Sequence, residues 1–391
     1  MILLEKALKI VLDSAFELGI EKVSLNNSLN RILAKDILSD MDMPPFDKSA
    51  MDGYACRKQD LKNELEIVET IIAGKAPEKR IQKNQCSKIM TGSMVPEGAD
   101  CVIMVEHTKE IGENKIIFTE EKTNQNIAFK AEDINTGDVV LKKGILIRAQ
   151  HIAVLASVGC TMPSVYKKIK VGVISTGSEL VEPDKKPGLS QIRNSNAYQL
   201  ISQIEQIGCI PNYVGIAIDT PEASLKAIKT ALNENDVILL SGGVSMGEFD
   251  FIPDILKDLN VKIFFQTLAV QPGKPTVFGM KGKKFIFGLP GNPVSSFNIF
   301  ELLSKPLLYK MMGYNYKPLS IKLPLAKSYE RKKAKRLSFI PVKITDEGKV
   351  LPIEYHGSAH SKALVNADGL ISVPIGVTKI NEGELVDVRQ I

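Results

Sequence analysis

The sequence has no tryptophan, only five cysteines and only four histidines in 391 residues. The cysteines (Cys56, Cys86, Cys101, Cys160 and Cys209) stand apart with no C-x-x-C pair. That argues against a disulfide framework or a structural zinc site and fits a reducing compartment. His356 and His360 are four apart, but no H-E-x-x-H motif surrounds them. No apolar run has the length needed to span a bilayer. The stretch "MILLEKALKIVLDSAFELG" carries Glu5, Lys6, Lys9 and Asp13 among its apolar residues. It reads as an amphipathic helix, not as a signal peptide or a membrane span, and a cytoplasmic protein is expected. Internal repeats and low-complexity tracts are also missing.

What is present is globular. Hydrophobic residues make up 44% and charged residues 24%, enough to bury several cores, and the length fits two to four domains. The net charge of +5 is too mild to point to nucleic acid, though it favours a polyanionic small molecule. "RKKAKR" (Arg331 to Arg336) reads as a solvated hairpin face. Neither a nucleic acid nor a membrane is expected as a partner.

The texture changes along the chain. Leu4, Ala7, Leu8, Val11, Leu12, Ala15 and Leu18 form a helical stripe over residues 2–18 that Gly19 would stop. Short β-rich runs dominate from about 61 to 147, and "AQHIAVLASVG" returns to helical period. From 170 to 313, apolar strands ("KVGVIST", "YVGIAI", "DVILL", "KKFIFG") alternate with helices such as "NAYQLISQIEQIG" and "TPEASLKAIKTALN". The last has Thr220 at its cap and Pro221 at its first position. This pattern predicts a three-layer α/β domain with a mostly parallel sheet. After about 314 the texture is all β, as in a small barrel or sandwich.

Three small-residue turns follow predicted strands: "STGSEL" (Ser175 to Leu180), "SGGVSMGEFD" (Ser241 to Asp250) and "GLPGNPVS" (Gly288 to Ser295). Ligands of open parallel sheets sit outside the carboxyl ends of the strands, and exposed amides at such turns favour phosphate. Asp219 ends "YVGIAI" and Asp250 ends the second turn, so both acids emerge at that edge. Asp219 alone reads as a capping acid; with Asp250 and the phosphate turns it reads as a ligand for a hard divalent cation such as magnesium. Lys274, in "QPGKP", is either an exposed turn lysine or a charge that neutralises an oxyanion. Upstream, "PPFDKSAMDGYA" and "KIMTGSMVPEGAD" are either packed loops or loops presented to a site elsewhere.

In order along the chain, "SAMDGYA", "IMTGSMVPEGAD", "STGSELV", "SGGVSMGEFDF", "QPGKP" and "GLPGNPVS" resemble the molybdopterin molybdenumtransferase family, to which the E domain of gephyrin belongs. The resemblance spans essentially the whole chain. It implies a multi-domain fold: 1–40 with 135–167 as a helical linker unit, 41–134 as a β-rich insert, 168–313 as the α/β molybdopterin-binding domain and 314–391 as a small β-barrel. It also implies a homodimer, magnesium as cofactor, and molybdate and adenylylated molybdopterin as substrates, with AMP and molybdenum cofactor as products. A molybdopterin-adenylylating enzyme and the recipient molybdenum enzymes would be its partners. An adenylyltransferase, a nucleotide pyrophosphatase and a non-catalytic dimeric scaffold are the competing readings.

Carried over by motif, Asp52, Thr91, Glu179, Asp219, Asp250 and Lys274 would be the catalytic set, with Asp219 and Asp250 on the metal. Ser175, Thr176, Gly177, Ser241, Gly242, Gly243, Ser245, Pro272, Gly273, Pro290, Gly291, Asn292 and Pro293 would line the pocket. Asp52 and Thr91 would reach the partner's α/β domain across the dimer. The chain departs from some relatives at Thr267, Gln271 and Pro341, where lysines or an arginine stand in their sequences. Gly243→Val is expected to block the ligand, and Glu248→Gln to matter little.

Overall fold

The computed structural model describes residues 1–244, 252–354, 357 and 359–391. Six strands build the sheet of the α/β unit: β1 (Lys170–Thr176), β2 (Ile210–Ala217), β3 (Val237–Ser241), β4 (Lys262–Thr267), β5 (Pro275–Lys281) and β6 (Lys284–Leu289). Their order is β2-β1-β3-β6-β5-β4. The pairs β1/β2, β1/β3 and β3/β6 are parallel, as the alternating pattern predicts. β4 and β5 extend the sheet as antiparallel neighbours. The sequence reading does not name these two strands, because no intervening helix marks them. Aromatic packing fixes them instead: Phe278 on β5 meets Phe287 on β6 at 4.8 Å and Phe265 on β4 at 5.6 Å between ring centroids.

Helices cover both faces: α1 (Ser195–Gln206), α2 (Pro221–Glu234), α3 (Ile252–Asp258), α4 (Pro293–Ile299) and α5 (Lys305–Met311), the last two joined by a π-helical turn over Phe300–Ser304. One core buries Val171, Val173, Leu200, Ile204, Phe285 and Phe287. The opposite face buries Ile174, Ile228, Ile238, Leu240, Leu256 and Ile286. Each such side chain contributes about 1.5–3 kcal/mol, against about 1 kcal/mol net for a hydrogen bond, so apolar burial holds the layers together. Local chemistry then sets the helix starts. The Thr220 hydroxyl accepts from the Ala223 amide at 3.2 Å, and the Asn194 side chain accepts from the Ala197 amide at 3.4 Å. Both caps lie where chain leaves the carboxyl edge of the sheet or returns to it.

The N-terminal helix runs over Leu4–Asp13 and stops short of Gly19. The Ser14 amide still donates to the Ile10 carbonyl at 3.2 Å, with the Ser14 hydroxyl adding a second bond there at 2.7 Å, and the Ala15 amide turns to Leu12 at 3.1 Å, so the ladder tightens and stops. Ala7 and Val11 pack into the α/β core beside Leu307 and Leu308. The following residues instead pair with a distant segment: Ile20–Lys22 with Ser164–Tyr166, and Ile37–Leu38 with Val139–Leu141. They share a core of Leu33, Ile37, Leu141, Ile147, Leu155 and Val165. Between these halves lies a mixed six-stranded sheet that includes Gly53–Cys56, Leu65–Ile71 and Gln85–Ile89.

The C-terminal strands Ser320–Pro324, Leu337–Ile344, Gly369–Val373 and Leu385–Gln390 form another sheet over Ile340, Val342, Ile371 and Val388. Its edge takes in Val270–Gln271 from the α/β unit, paired in parallel with Leu337 and Ser338. Among the described residues, no helix is long and apolar enough to cross a membrane.

Candidate active site

The strand order reverses at β1: β2 lies on one side and β3 on the other. Ser175 stands opposite Ser241 in the register, and Ser241 opposite Leu289. Three strands therefore end side by side at a topological switch point, where open sheets bind ligands. A cleft of about 420 Å³ opens there. Ser175, Thr176, Gly177, Glu179, Asp219, Ser241, Gly242, Gly243, Pro290, Gly291 and Pro293 line it, which brings together most of the residues the sequence singles out.

The glycines are required by the protein itself as well as by any ligand. Gly242 has φ +99°, and a Cβ there would lie 2.5 Å from the Thr176 carbonyl oxygen. Gly243 has φ +64°, with the Thr176 hydroxyl 2.9 Å from its would-be Cβ. Gly291 differs: its would-be Cβ has no neighbour nearer than 3.7 Å, the Gly242 Cα. Space beside Gly291 is thus left to the cleft.

Asp219 is half-buried at the end of the β2 segment. Its Oδ2 accepts from the Ser178 amide at 2.9 Å, and its own amide donates to the Ser178 hydroxyl at 3.1 Å. Glu179 follows on the same wall and is exposed. Ser245, Glu248 and Asp250 lie outside the described residues.

Several residues that the sequence reading did not select complete the cleft. Asn196, buried in the first turn of α1, donates from Nδ2 to the Ser241 hydroxyl at 2.8 Å and to the Gly291 carbonyl at 2.7 Å. It braces the second turn against the third. Asn194 accepts from the Ser175 hydroxyl at 2.9 Å and donates to Tyr213, whose hydroxyl donates to Glu182 at 2.6 Å. Burial first, then the Glu182 carboxylate, push the Tyr213 phenol well above its usual range, so it stays a neutral donor. Arg193 also lines the cleft. The available signal was "RNSN" just before a helical stripe, since asparagine is a favoured N-cap.

Other sequence-selected residues lie elsewhere. Pro272 and Gly273 are buried and do not line the cleft; a Cβ on Gly273 would meet Ile299 Cδ1 at 2.6 Å. Lys274 and Asn292 are exposed and do not line the cleft. Gln271 Oε1 accepts from Arg336 Nη2 at 3.3 Å, tying that turn to the C-terminal unit. Asp52 and Thr91 sit on the inserted unit and also do not line the cleft. The Thr91 amide and hydroxyl both donate to Asp52 Oδ1, at 2.6 and 2.9 Å. The amide first, then the hydroxyl, hold the Asp52 carboxyl below the usual carboxylate range. Both residues are exposed, so the pair is presented outward.

Comparison with known proteins agrees with this layout. Residues 2–159 match the family model for the MoeA N-terminal region (domain I and II), 172–310 a probable molybdopterin binding domain, and 322–391 the MoeA C-terminal region (domain IV). A molybdopterin molybdenumtransferase of Staphylococcus epidermidis is 36% identical over 394 residues, covering 98% of this chain and 94% of that protein. One from Staphylococcus aureus is 35% identical over 378 residues, covering 94% and 90%. The solved structure of the molybdopterin biosynthesis moeA protein of Pyrococcus horikoshii OT3 superposes with a TM-score of 0.86 at 31% identity, over 100% of both chains.

Proposed function

The chain belongs to the molybdopterin molybdenumtransferase family, and we propose that it is a molybdenum insertase that transfers molybdenum from molybdate to adenylylated molybdopterin, releasing AMP and molybdenum cofactor. The observation that carries this reading is the cleft at the switch point, where Ser175–Gly177, Ser241–Gly243 and Pro290–Gly291 converge. Small residues let a phosphate-bearing ligand approach the backbone closely, and turn amides point at its charge.

The chain's own residues take distinct roles in this reaction. The three turns seat the substrate's phosphates, and the Asn196 brace fixes the distance between two of them. The Ser178–Asp219 pair holds the wall that carries Glu179. A molybdate oxygen attacks the pterin-side phosphorus of the anhydride, the P–O bond to the adenylyl group breaks and AMP leaves with the bridging oxygen; the dithiolene sulfurs then displace the attacking oxygen from molybdenum, and that oxygen stays on the molybdopterin phosphate. Molybdenum passes to the dithiolene, so no protein thiolate is needed. Among the described residues, no cysteine lines the cleft.

The lining also fits magnesium. Among the described lining residues its potential ligands are the Glu179 and Asp219 carboxylates, with no thiol or imidazole. That suits a hard ion shared between one or two carboxylates and substrate phosphates. Asp219 would hold it, with Asp250 as the expected second ligand outside the described residues. When bound, magnesium would neutralise charge on the leaving phosphate.

We further propose a homodimer in which the exposed Asp52–Thr91 pair of one protomer completes the cleft of the other. The same reading carries the four-unit division 1–40 with 135–167, 41–134, 168–313 and 314–391, the last a small barrel. Distinct apolar cores around Leu33 and Leu155, around Tyr54 and Ile103, and around Ile340 and Val388 support it, while the α/β core also takes in Ala7, Val11, Phe339 and Leu370. The test is reconstitution: protein, adenylylated molybdopterin, molybdate and magnesium are incubated together, and the product is offered to a cofactor-free molybdenum enzyme. Activity should appear only with all four components. If the recipient stays inactive while holding competence for authentic cofactor, the insertase reading falls.

A further inference from the structure

The substrate proposed above is an anion, yet among the described residues the cleft lining offers little positive charge. Among the described lining residues, Glu179 and Asp219 are acidic and Arg193 is the one basic residue. Lys274, the lysine the sequence favours, is not among them. Arg193 ends a two-residue strand, Ile192–Arg193, that pairs in parallel with Leu180–Val181. It directly precedes the Asn194 cap of α1. Its Nε donates to the Pro183 carbonyl at 3.0 Å and the Lys185 carbonyl at 3.2 Å. Among the described residues its Nη groups donate to nothing, and it enters no ion pair. A guanidinium bound at Nε with both Nη groups open presents a fixed fork, the geometry that takes a phosphate bidentately. A shallower hollow bounded by Pro183, Asp184 and Tyr198 continues past it.

We infer that Arg193 is a binding residue for the diphosphate of the substrate, the cation that orients the phosphoanhydride on the wall facing the glycine turns. This assignment rests on the insertase reading for its ligand, but it has its own test. The alternative role for Arg193 is purely structural, as the tether of the 183–185 loop. The two roles separate because Arg193→Lys keeps the charge and loses the planar tether, whereas Arg193→Gln loses the charge.

ADP, which carries a diphosphate, is titrated in magnesium against the full-length wild-type protein and both variants, at low and high salt, with adenosine as the uncharged control. The expected result is that Arg193→Gln weakens ADP binding by about tenfold or more and flattens its salt dependence. Arg193→Lys should weaken ADP binding less than Arg193→Gln does, with the salt dependence retained, because it keeps the charge and loses only the bidentate fork. Adenosine should bind alike to all three proteins. Equal loss in both variants with an unchanged salt slope would assign Arg193 to the loop instead. Wild-type protein that binds ADP no better than adenosine would also overturn the proposal. Molybdate-dependent AMP release by the wild type, run in parallel, reports on the insertase reading separately.

Discussion

Asp219 and Ser178 hold each other by two hydrogen bonds, amide to carboxylate at 2.9 Å and amide to hydroxyl at 3.1 Å. The pair locks the ends of two neighbouring strands together beside the cleft. Asp219→Asn keeps an amide oxygen for the Ser178 amide and removes the charge. It should leave the melting temperature nearly unchanged and lower turnover by about a hundredfold or more, as expected for loss of a group that acts on transition-state charge. Asp219→Ala should lower both. Thermal melts and turnover measured together separate the two roles; equal turnover in Asp219→Asn and wild type would remove Asp219 from the chemistry.

The glycines of the cleft divide into two kinds. Gly243→Val, first expected to act by blocking the ligand, also forces a branched side chain onto φ +64° against Thr176, so it should unfold the turn as well. Gly242→Ala carries the same problem, with an expected cost of about 1–3 kcal/mol. Gly291→Ala meets no atom within 3.4 Å and should melt like wild type while raising the KM for adenylylated molybdopterin. Unchanged KM in Gly291→Ala would mean that the substrate does not approach that turn.

Asn196→Ala removes the brace between Ser241 and Gly291 and leaves the buried Ser241 hydroxyl and the part-buried Gly291 carbonyl without their donor. A destabilisation of about 1–3 kcal/mol follows, read by denaturant unfolding. Turnover should fall further than stability explains, because the spacing of two phosphate-binding turns is lost. Loss of stability alone would make Asn196 a structural residue only.

Asp52 bears on the dimer. Asp52→Ala and Asp219→Ala should each be inactive as homodimers, yet mixing and reassembling them should restore about a quarter of wild-type activity, since half the dimers would be mixed and each would hold one intact site. No recovery would confine each site to one protomer. The pH dependence is also fixed. The Asp52 carboxyl is held below its ordinary value, so its contribution is fully present above that value and is lost only as pH falls through the lowered one. Asp52 should therefore impose no titration on the activity profile at neutral or mildly acidic pH.

Much of the site was legible in the sequence because its chemistry is local. The strand "KVGVIST" was read residue for residue, as Lys170–Thr176, and the Thr220 cap stands where capping chemistry puts it. Three glycine-bearing turns after strands converge as open-sheet geometry requires. Asn196 and Arg193 were missed because their importance comes from tertiary placement: a lone asparagine or arginine near a helix start carries no periodic signal. β4 and β5 were missed because phenylalanine packing across strands, not alternation with helices, makes them part of the sheet. The helical stripe over residues 2–18 runs past the helix end because the ladder tightens at Ala15, whose amide turns to Leu12, a backbone change that apolar spacing does not reveal.

The most direct measurement is AMP release from adenylylated molybdopterin with and without molybdate. The insertase account gives AMP in step with molybdenum cofactor, about one to one, and none when molybdate is omitted, since molybdate supplies the attacking oxygen. AMP released at the same rate without molybdate would make the cleft a nucleotide pyrophosphatase site and contradict the account.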